Sequence, residues 1–285
     1  MWGRELWLVS AHPSQPSVVA NGPYAGRTLP ELAATFGAEL MGASAASGDG
    51  FPLLVKIIES RDRLSLQVHP SEETAKLSGG EPKTEMWYVL GAEPGATLFA
   101  GLREGVDRET LVRSLQEGTA EATVAQYEPQ RGEVLFIPGG LVHAVGGGCR
   151  LYEVQQTSDT TWRLHDWNRV DAKTGLPRPI HVQEGLAAID WSLKPPTLLR
   201  ARSSADALIS CAPFRFFVWE FSSEIVLPAR ADGFRLLFAE EGSCIVRMEG
   251  TDPVPLTGDV CALIPAGGAC TVVPSGFCRL LIAER

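Results

Sequence analysis

Nowhere does the 285-residue chain hold the ~18–20 consecutive apolar residues that a membrane-spanning helix needs. The first residues, Met1-Trp-Gly-Arg-Glu-Leu-Trp7, lack a basic region followed by a long apolar run, so neither a membrane span nor a signal peptide is expected. Cysteine is scarce and unpaired in pattern: there are six, none in a CxxC pair, and five lie beyond residue 210 among apolar residues. They read as buried free thiols in a reducing, cytoplasmic compartment rather than as a disulfide framework. Lys and Arg form no run or stripe, and the net charge of -9 is spread along the chain, which argues against nucleic acid as a partner. Net charge leaves a small anionic substrate open, because a few cations in a cleft set the local field. No heptad appears, and the chain reads as a monomer.

What is present is an ordinary globular composition, 45% hydrophobic and 21% charged, long enough to bury a sizeable core. Residues 28–40 are expected to be helical: Thr28 and Glu31 have capping-box spacing, and Leu29, Leu32, Ala33, Phe36 and Leu40 repeat at helical intervals. Residues 107–117 give a second helix, with Asp107 as N-cap and Gly118 as its end. Most of the remainder reads as short strands punctuated by Gly and Pro, at 51–58, 64–68, 85–90, 97–100, 134–137, 151–155, 216–220, 235–239, 243–248, 260–264 and 279–283. That spacing predicts a mainly β protein built as an antiparallel barrel or jelly roll with a few short helices. The Pro- and Ser-rich stretch 192–213 places a boundary between a catalytic domain, 1–195, and a smaller C-terminal β domain, 196–285. The unit from Gly132 through Pro138 to Gly140 recurs loosely from Gly258 through Pro265 to Gly267, which suggests two related lobes. Only the first copy continues to a histidine, His143, so the second lobe is expected to be degenerate.

Histidine is also scarce, at five residues, yet two of them fall in separate, sharply patterned segments. In Gly132-x5-Pro138-x-Gly140-x2-His143 a strand ends at a turn that aims an imidazole back toward the interior. In Leu66-Gln67-Val68-His69-Pro70 alternation puts Gln67 and His69 on one face of a strand. Glu85 opens a further strand in Lys83-Thr84-Glu85-Met86-Trp87. Two imidazoles, a carboxylate and an amide oxygen form a mixed N/O set suited to zinc, iron or manganese with an open position. A lone histidine is more often structural than a ligand, but two aimed at one interior outweigh that reading. His12, His165 and His181 are read as outside the metal set, and Trp87, Trp162, Trp167 and Tyr88 as core or cleft wall.

These segments resemble the type I phosphomannose isomerases, zinc-dependent enzymes of the cupin superfamily. The resemblance is carried by Pro52-Leu-Leu-Val-Lys56, Leu64-Ser-Leu-Gln67-Val-His69-Pro70, Lys83-Thr-Glu85-Met-Trp87-Tyr88, Pro138-Gly-Gly-Leu-Val-His143 and Gln155-Gln-Thr-Ser158-Asp159-Thr-Thr-Trp-Arg163, with Ser10-Ala-His12-Pro13 and Val19-Ala-Asn21-Gly22. It implies a cupin barrel with one Zn2+ per chain on Gln67, His69, Glu85 and His143. Arg163 would face a sugar phosphate, and Lys56, Ser65, Lys83 and Glu153 would line the cleft. The implied reaction interconverts mannose 6-phosphate and fructose 6-phosphate through an enediol-type intermediate, and Glu153, Lys83 and Lys56 stand equal as proton carrier. Glu153 could also sit on a solvated outer face, and Lys83 in a solvated loop. Two other functions remain: an iron-dependent cupin oxygenase on the same ligands, and a non-catalytic sugar-binding protein that kept its metal. Trp2-Gly3 lies much nearer to Trp7-Leu-Val-Ser10 than in relatives, which leaves a first strand unassigned.

Overall fold

In the computed structural model, residues 2–43, 50–170 and 174–285 are described. Twenty strands form among them: β1 (Gly3–Val9), β2 (Leu53–Ser60), β3 (Leu66–Val68), β4 (Glu85–Ala92), β5 (Leu98–Leu102), β6 (Val124–Tyr127), β7 (Glu133–Ile137), β8 (His143–Val145), β9 (Cys149–Gln156), β10 (Trp162–His165), β11 (Leu199–Arg200), β12 (Ile209–Ser210), β13 (Arg215–Phe221), β14 (Ile225–Leu227), β15 (Arg235–Glu241), β16 (Cys244–Arg247), β17 (Val254–Leu256), β18 (Cys261–Ile264), β19 (Cys270–Pro274) and β20 (Cys278–Glu284). The helices are short: α1 (Leu29–Phe36), α2 (Ala38–Met41), α3 (Ala75–Ser78), α4 (Arg108–Glu117) and α5 (Val182–Ala188). None is long and apolar enough to cross a membrane.

All eleven strands expected from alternation are present, and five of them, β2, β4, β5, β9 and β15, run two residues further at one end. The strands not expected are those of two to five residues set among Gly and Pro, such as β8, β14 and β19, together with the seven-residue β1. β1 does form and lies beside β2 at the edge of its sheet, so the closely spaced N-terminal motifs still make a strand. The helix expected over 28–40 is broken at Gly37, whose positive φ separates α1 from α2. Thr28 and Glu31 close the capping box on α1, and Asp107 caps α4 by accepting from the Thr110 amide.

By packing, the chain forms two compact units, Met1–Leu6 with Lys56–Arg200, and Trp7–Val55 with Ala201–Arg285. The end of the first unit lies near the break read from the sequence; the grouping of 7–55 with the C-terminal strands was not read from it. Two sheets, in the orders β1-β2-β9-β4-β7-β11 and β10-β3-β8-β5-β6, enclose a core of Ile58, Trp87, Leu98, Ala100, Leu135 and Leu151. The outer face of the second sheet packs Leu66, Val68 and Leu164 against Leu111 of α4 and Leu186 of α5. This is a jelly-roll arrangement of two antiparallel layers.

The C-terminal strands repeat it. The sheet orders β13-β20-β15-β18 and β14-β19-β16-β17 reproduce β2-β9-β4-β7 and β3-β8-β5-β6, every strand advanced by eleven. Register matches as well as order. Glu85 pairs with Ile137 and Gln155, and Arg235 with Ile264 and Glu284; Gln67 pairs with His143, and Leu227 with Cys270. Glu85 and Gln67 of the first jelly roll therefore have the non-ligating counterparts Arg235 and Leu227, and His143 has the buried Cys270. Where Glu85 stands in the first, Arg235 in the second donates to Glu284 at 2.8 Å and to the Pro228 carbonyl at 2.7 Å.

One turn ties the patterned segments together. Gly140 N donates to the His69 carbonyl at 2.7 Å, Gly139 N to the Thr84 hydroxyl at 3.1 Å, and Lys83 N to the Pro70 carbonyl at 2.9 Å. Gly140 has φ +91°, but Gly139 is needed for space: a Cβ there would lie 2.6 Å from the Pro70 carbonyl oxygen and 2.7 Å from Ser71 Cα. Gly139→Ala is expected to cost roughly 1–3 kcal/mol in chemical denaturation, as overpacking against backbone does. Gly91→Ala, where a Cβ meets nothing within 4 Å, is the control and should shift stability by less than that.

Candidate metal centre and active site

Both sheets of the first jelly roll deliver the four candidate ligands. Gln67 on β3 lies directly opposite His143 at the start of β8, so their side chains share one face. His69 follows β3 by one residue and Glu85 opens β4. His69, Glu85 and His143 are each about 1% exposed, and their ligand atoms lie within 4.8 Å of one another. Glu85 Oε2 is 3.5 Å from His69 Nε2 and Oε1 is 3.5 Å from His143 Nε2; Gln67 Nε2 is 3.5 Å and 3.3 Å from the two imidazole nitrogens. Four ligands on a tetrahedral zinc with bonds of ~2.0–2.1 Å are about 3.4 Å apart, so the spacing suits that ion.

The protonation of the site suits it too. His69 Nδ1 lies 2.7 Å from the Thr160 carbonyl and His143 Nδ1 2.8 Å from the Leu141 carbonyl. A carbonyl only accepts, so Nδ1 carries the proton on each ring and Nε2 presents its lone pair. Burial, foremost, holds His143 down to about 4, and burial with the Lys83 charge holds His69 well below the usual histidine range. Glu85 Oε2 is buried without a hydrogen bond although Lys83 Nζ lies 3.1 Å away, an acceptor left open on the ligand side. Ser65 donates to Gln67 Oε1 at 3.0 Å. A hydroxyl also accepts, so a flip of the amide would turn its oxygen to a metal and keep Ser65 paired.

Beside the ligands lies a buried charge network. Glu153, 2% exposed, faces inward, which removes the reading of a solvated outer face; Lys83, 5% exposed, is no solvated loop residue. Glu153 accepts from Trp87 Nε1 at 2.8 Å and pairs with Lys56 Nζ at 3.1 Å, and Lys56 also reaches Glu5 at 3.3 Å. Burial, reinforced by the Glu85 charge, raises the Glu153 carboxyl above the usual range against the pull of Lys56 and Lys83. For Lys56 burial works downward, but Glu153, Glu5 and Glu85 together outweigh it and hold the ammonium above the ordinary lysine value. Arg163, on β10, pairs in register with Gln67 and so projects from the same face of its sheet. Its Nη1 donates to the Pro179 carbonyl at 2.7 Å, and its Nε is buried without a partner among the described residues.

The other histidines stay out of the cluster. His12 bonds Ser14, His165 accepts from the Trp167 amide, and His181 accepts from the Arg163 amide. Trp87 is a wall, edge-on to His143 at 5.5 Å. Sequence reasoning missed Glu5 and the two carbonyls that orient the imidazoles. Glu5 lies in β1 outside every patterned segment, and a backbone carbonyl carries no sequence signal.

Comparison with known proteins fits this geometry. The family described as phosphomannose isomerase type I, catalytic domain, matches residues 3–90. A mannose-6-phosphate isomerase of Streptococcus mutans is 35% identical over 232 residues, 80% of this chain and 72% of its own. The chain belongs to the mannose-6-phosphate isomerase family. ManA of Bacillus subtilis, another member, is 34% identical over 245 residues, 84% of this chain and 76% of its own. The crystal structure of a Bacillus subtilis mannose 6-phosphate isomerase superposes with a TM-score of 0.83 at 28% identity, over 98% of this chain and 88% of that one. A zinc-bound mannose 6-phosphate isomerase shares the fold, with a TM-score of 0.74 at 18% identity over 99% of this chain and 90% of that one. The family fold is thus the mainly β cupin expected from the sequence, with its second, degenerate jelly roll.

The buried neutral imidazoles set a pH dependence for the chelated protein. Unfolding lets His143 return from about 4 to its ordinary 6.5, so the unfolded state binds the extra proton as pH falls through that window. The stability held above 6.5 is lost progressively toward about 4. Thermal unfolding of the metal-free chain should show this decline, and His143→Asn should make the decline shallower.

Proposed function

We propose that this chain interconverts mannose 6-phosphate and fructose 6-phosphate, with one Zn2+ per chain held by Gln67, His69, Glu85 and His143. The observation that carries the reading is the buried Glu153–Lys56 pair at 3.1 Å, set within the same jelly-roll interior as a zinc-spaced ligand set. Zinc, when bound, supplies Lewis acidity toward substrate oxygens. Everything else falls to the chain's own side chains.

Aldose–ketose exchange needs a proton removed at C2 and returned at C1, with negative charge gathering on oxygen between the two steps in an enediol-type intermediate. Glu153 is the best-placed carrier of that proton. Its raised carboxyl lies nearer to neutrality than an exposed glutamate, which is where a group that must both take and give a proton works best. Lys56 stays cationic and is ill suited as a base, so its part is to hold Glu153 in place and to balance charge. Lys83 adds a second ammonium beside Glu85, 3.1 Å from its carboxylate. With a divalent ion, the two lysines and the two buried carboxylates Glu85 and Glu153, the interior carries net positive charge. It therefore favours an anionic substrate and the developing oxyanion. Arg163, planar and permanently cationic, offers its free donors to phosphate or to that oxyanion, and Ser65 keeps Gln67 oriented. The substrate is a small sugar phosphate, and we place the working protein in the cytoplasm as a monomer. No feature of the site favours the oxygenase or the non-catalytic reading over this one.

A coupled assay with mannose 6-phosphate should show turnover that chelation abolishes and zinc restores. In D2O the fructose 6-phosphate formed should carry deuterium at C1. A folded, zinc-loaded sample without turnover would overturn the assignment. Glu153→Gln should lower kcat by about 10²–10⁴-fold with zinc content unchanged, in line with loss of a general acid–base. That variant leaves Lys56 still paired with Glu5, so its fold should survive.

A further inference from the structure

We propose that Asp166 is a positioning residue for Arg163, acting through Arg178 and the Pro179 carbonyl, with the indole of Trp2 as the surface that holds the assembly. The inference rests on the reading of Arg163 as a substrate-facing group and extends it to residues with no part in the metal site.

Asp166 directly follows β10 and is a buried carboxylate, 3% exposed. Arg178 grips it with two parallel bonds, Nε to Oδ2 at 2.8 Å and Nη2 to Oδ1 at 2.5 Å, and Arg169 Nη2 reaches Oδ1 at 2.8 Å. Such a fork fixes orientation as well as distance. Both guanidiniums stand over the Trp2 ring, at 4.3 Å for Arg169 and 4.4 Å for Arg178 from its centroid. Trp2 is itself anchored, since its carbonyl accepts from the Arg61 and Asp62 amides at 2.8 and 2.9 Å.

The next residue after Arg178 is Pro179, whose carbonyl accepts from Arg163 Nη1. The His181 amide donates to the Arg163 carbonyl at 2.7 Å, so residues 178–181 are tied to Arg163 at both ends. The division of charge is the telling feature. Asp166, a carboxylate close enough to influence Arg163, has both oxygens taken by Arg169 and Arg178, while Arg163 is held by a neutral carbonyl. Among the described residues Arg163 is thereby fixed in place without a counter-ion, and its buried Nε keeps a donor for an anion. A carboxylate bonded directly to Arg163 would hold it equally well and cancel the charge the substrate needs.

The test is a double-mutant cycle with Arg178→Ala and Arg163→Ala, reading kcat, KM, bound zinc and the Arg163 Nε–H resonance. Arg178→Ala is expected to lower kcat/KM about tenfold or more, as loss of orientation does, to leave bound zinc unchanged and to shift that resonance. In the Arg163→Ala chain the same change should cost less than about threefold, since coupled residues are not additive. Full additivity, loss of zinc, or an unmoved resonance would overturn the proposal. If Arg163→Ala keeps full turnover, the role given to Arg163 falls, and the resonance alone decides whether Arg178 positions it. Trp2→Leu, which removes only the stacking surface, serves where Arg178→Ala does not fold, with a smaller loss and the same lack of additivity expected.

Discussion

The site depends on one backbone clasp. The turn 138–140 donates to the His69 carbonyl and to the Thr84 hydroxyl, and the Lys83 amide closes onto Pro70, so three segments far apart in sequence are locked by hydrogen bonds between neighbouring residues. Every candidate ligand lies within three residues of a member of that clasp: Gln67 and His69 on one arm, Glu85 on the second, His143 on the third. The clasp closes only because Gly139 has no Cβ to meet Pro70 and Ser71. The cluster is therefore built from the main chain outward, and the imidazoles are then aimed by two carbonyls, those of Thr160 and Leu141. Such rigidity matters for a metal site, where donors must stand at fixed spacing before the ion arrives.

Electrostatics gives that frame its chemistry. Burial strips solvent from Glu153, Lys56, Lys83 and Glu85 alike, and what each becomes is decided by its neighbours. Lys56 sits among three carboxylates and stays charged; Glu153 has a like charge nearby and drifts toward its neutral form. Two oppositely charged groups in one buried pair are thus suited to different duties in the proposed reaction, one as a fixed counter-charge and the other as a proton carrier. Taking away either partner of such a pair is costly, which is why Lys56 having a second partner in Glu5 bears on how the site tolerates change.

The second jelly roll shows what the same topology does without these residues. It keeps strand order and register, and its counterparts to Glu153 and Trp87 are the apolar Ile282 and Leu237, which pair with each other as Glu153 and Trp87 do. At the Glu85 position Arg235 meets Glu284, which also receives Arg215 and Arg230. A metal-type set has been exchanged for an internal ion cluster and a hydrophobic fill. Fold and site are separable in this molecule, because backbone pairing sets the former and only a handful of inward positions set the latter.

By itself the sequence determined the strands long enough to show alternation, the two capped helices, and the four candidate ligand residues, since turn chemistry and period-two spacing are local and leave their mark on neighbouring residues. Alternation could not reveal β8, β14 or β19, which are too short to complete a pattern, nor the interruption at Gly37. The burial of Glu153 and Lys83 was equally out of reach, because which face of a strand is inward depends on the sheet laid against it. The tertiary structure alone decided that Glu5 completes the Lys56 pair, that Thr160 and Leu141 orient the imidazoles, and that Trp2 and Asp166 meet around Arg178. These are contacts between segments brought together only by the closing of the sheets, and many are made by backbone atoms that every residue possesses and no sequence pattern marks.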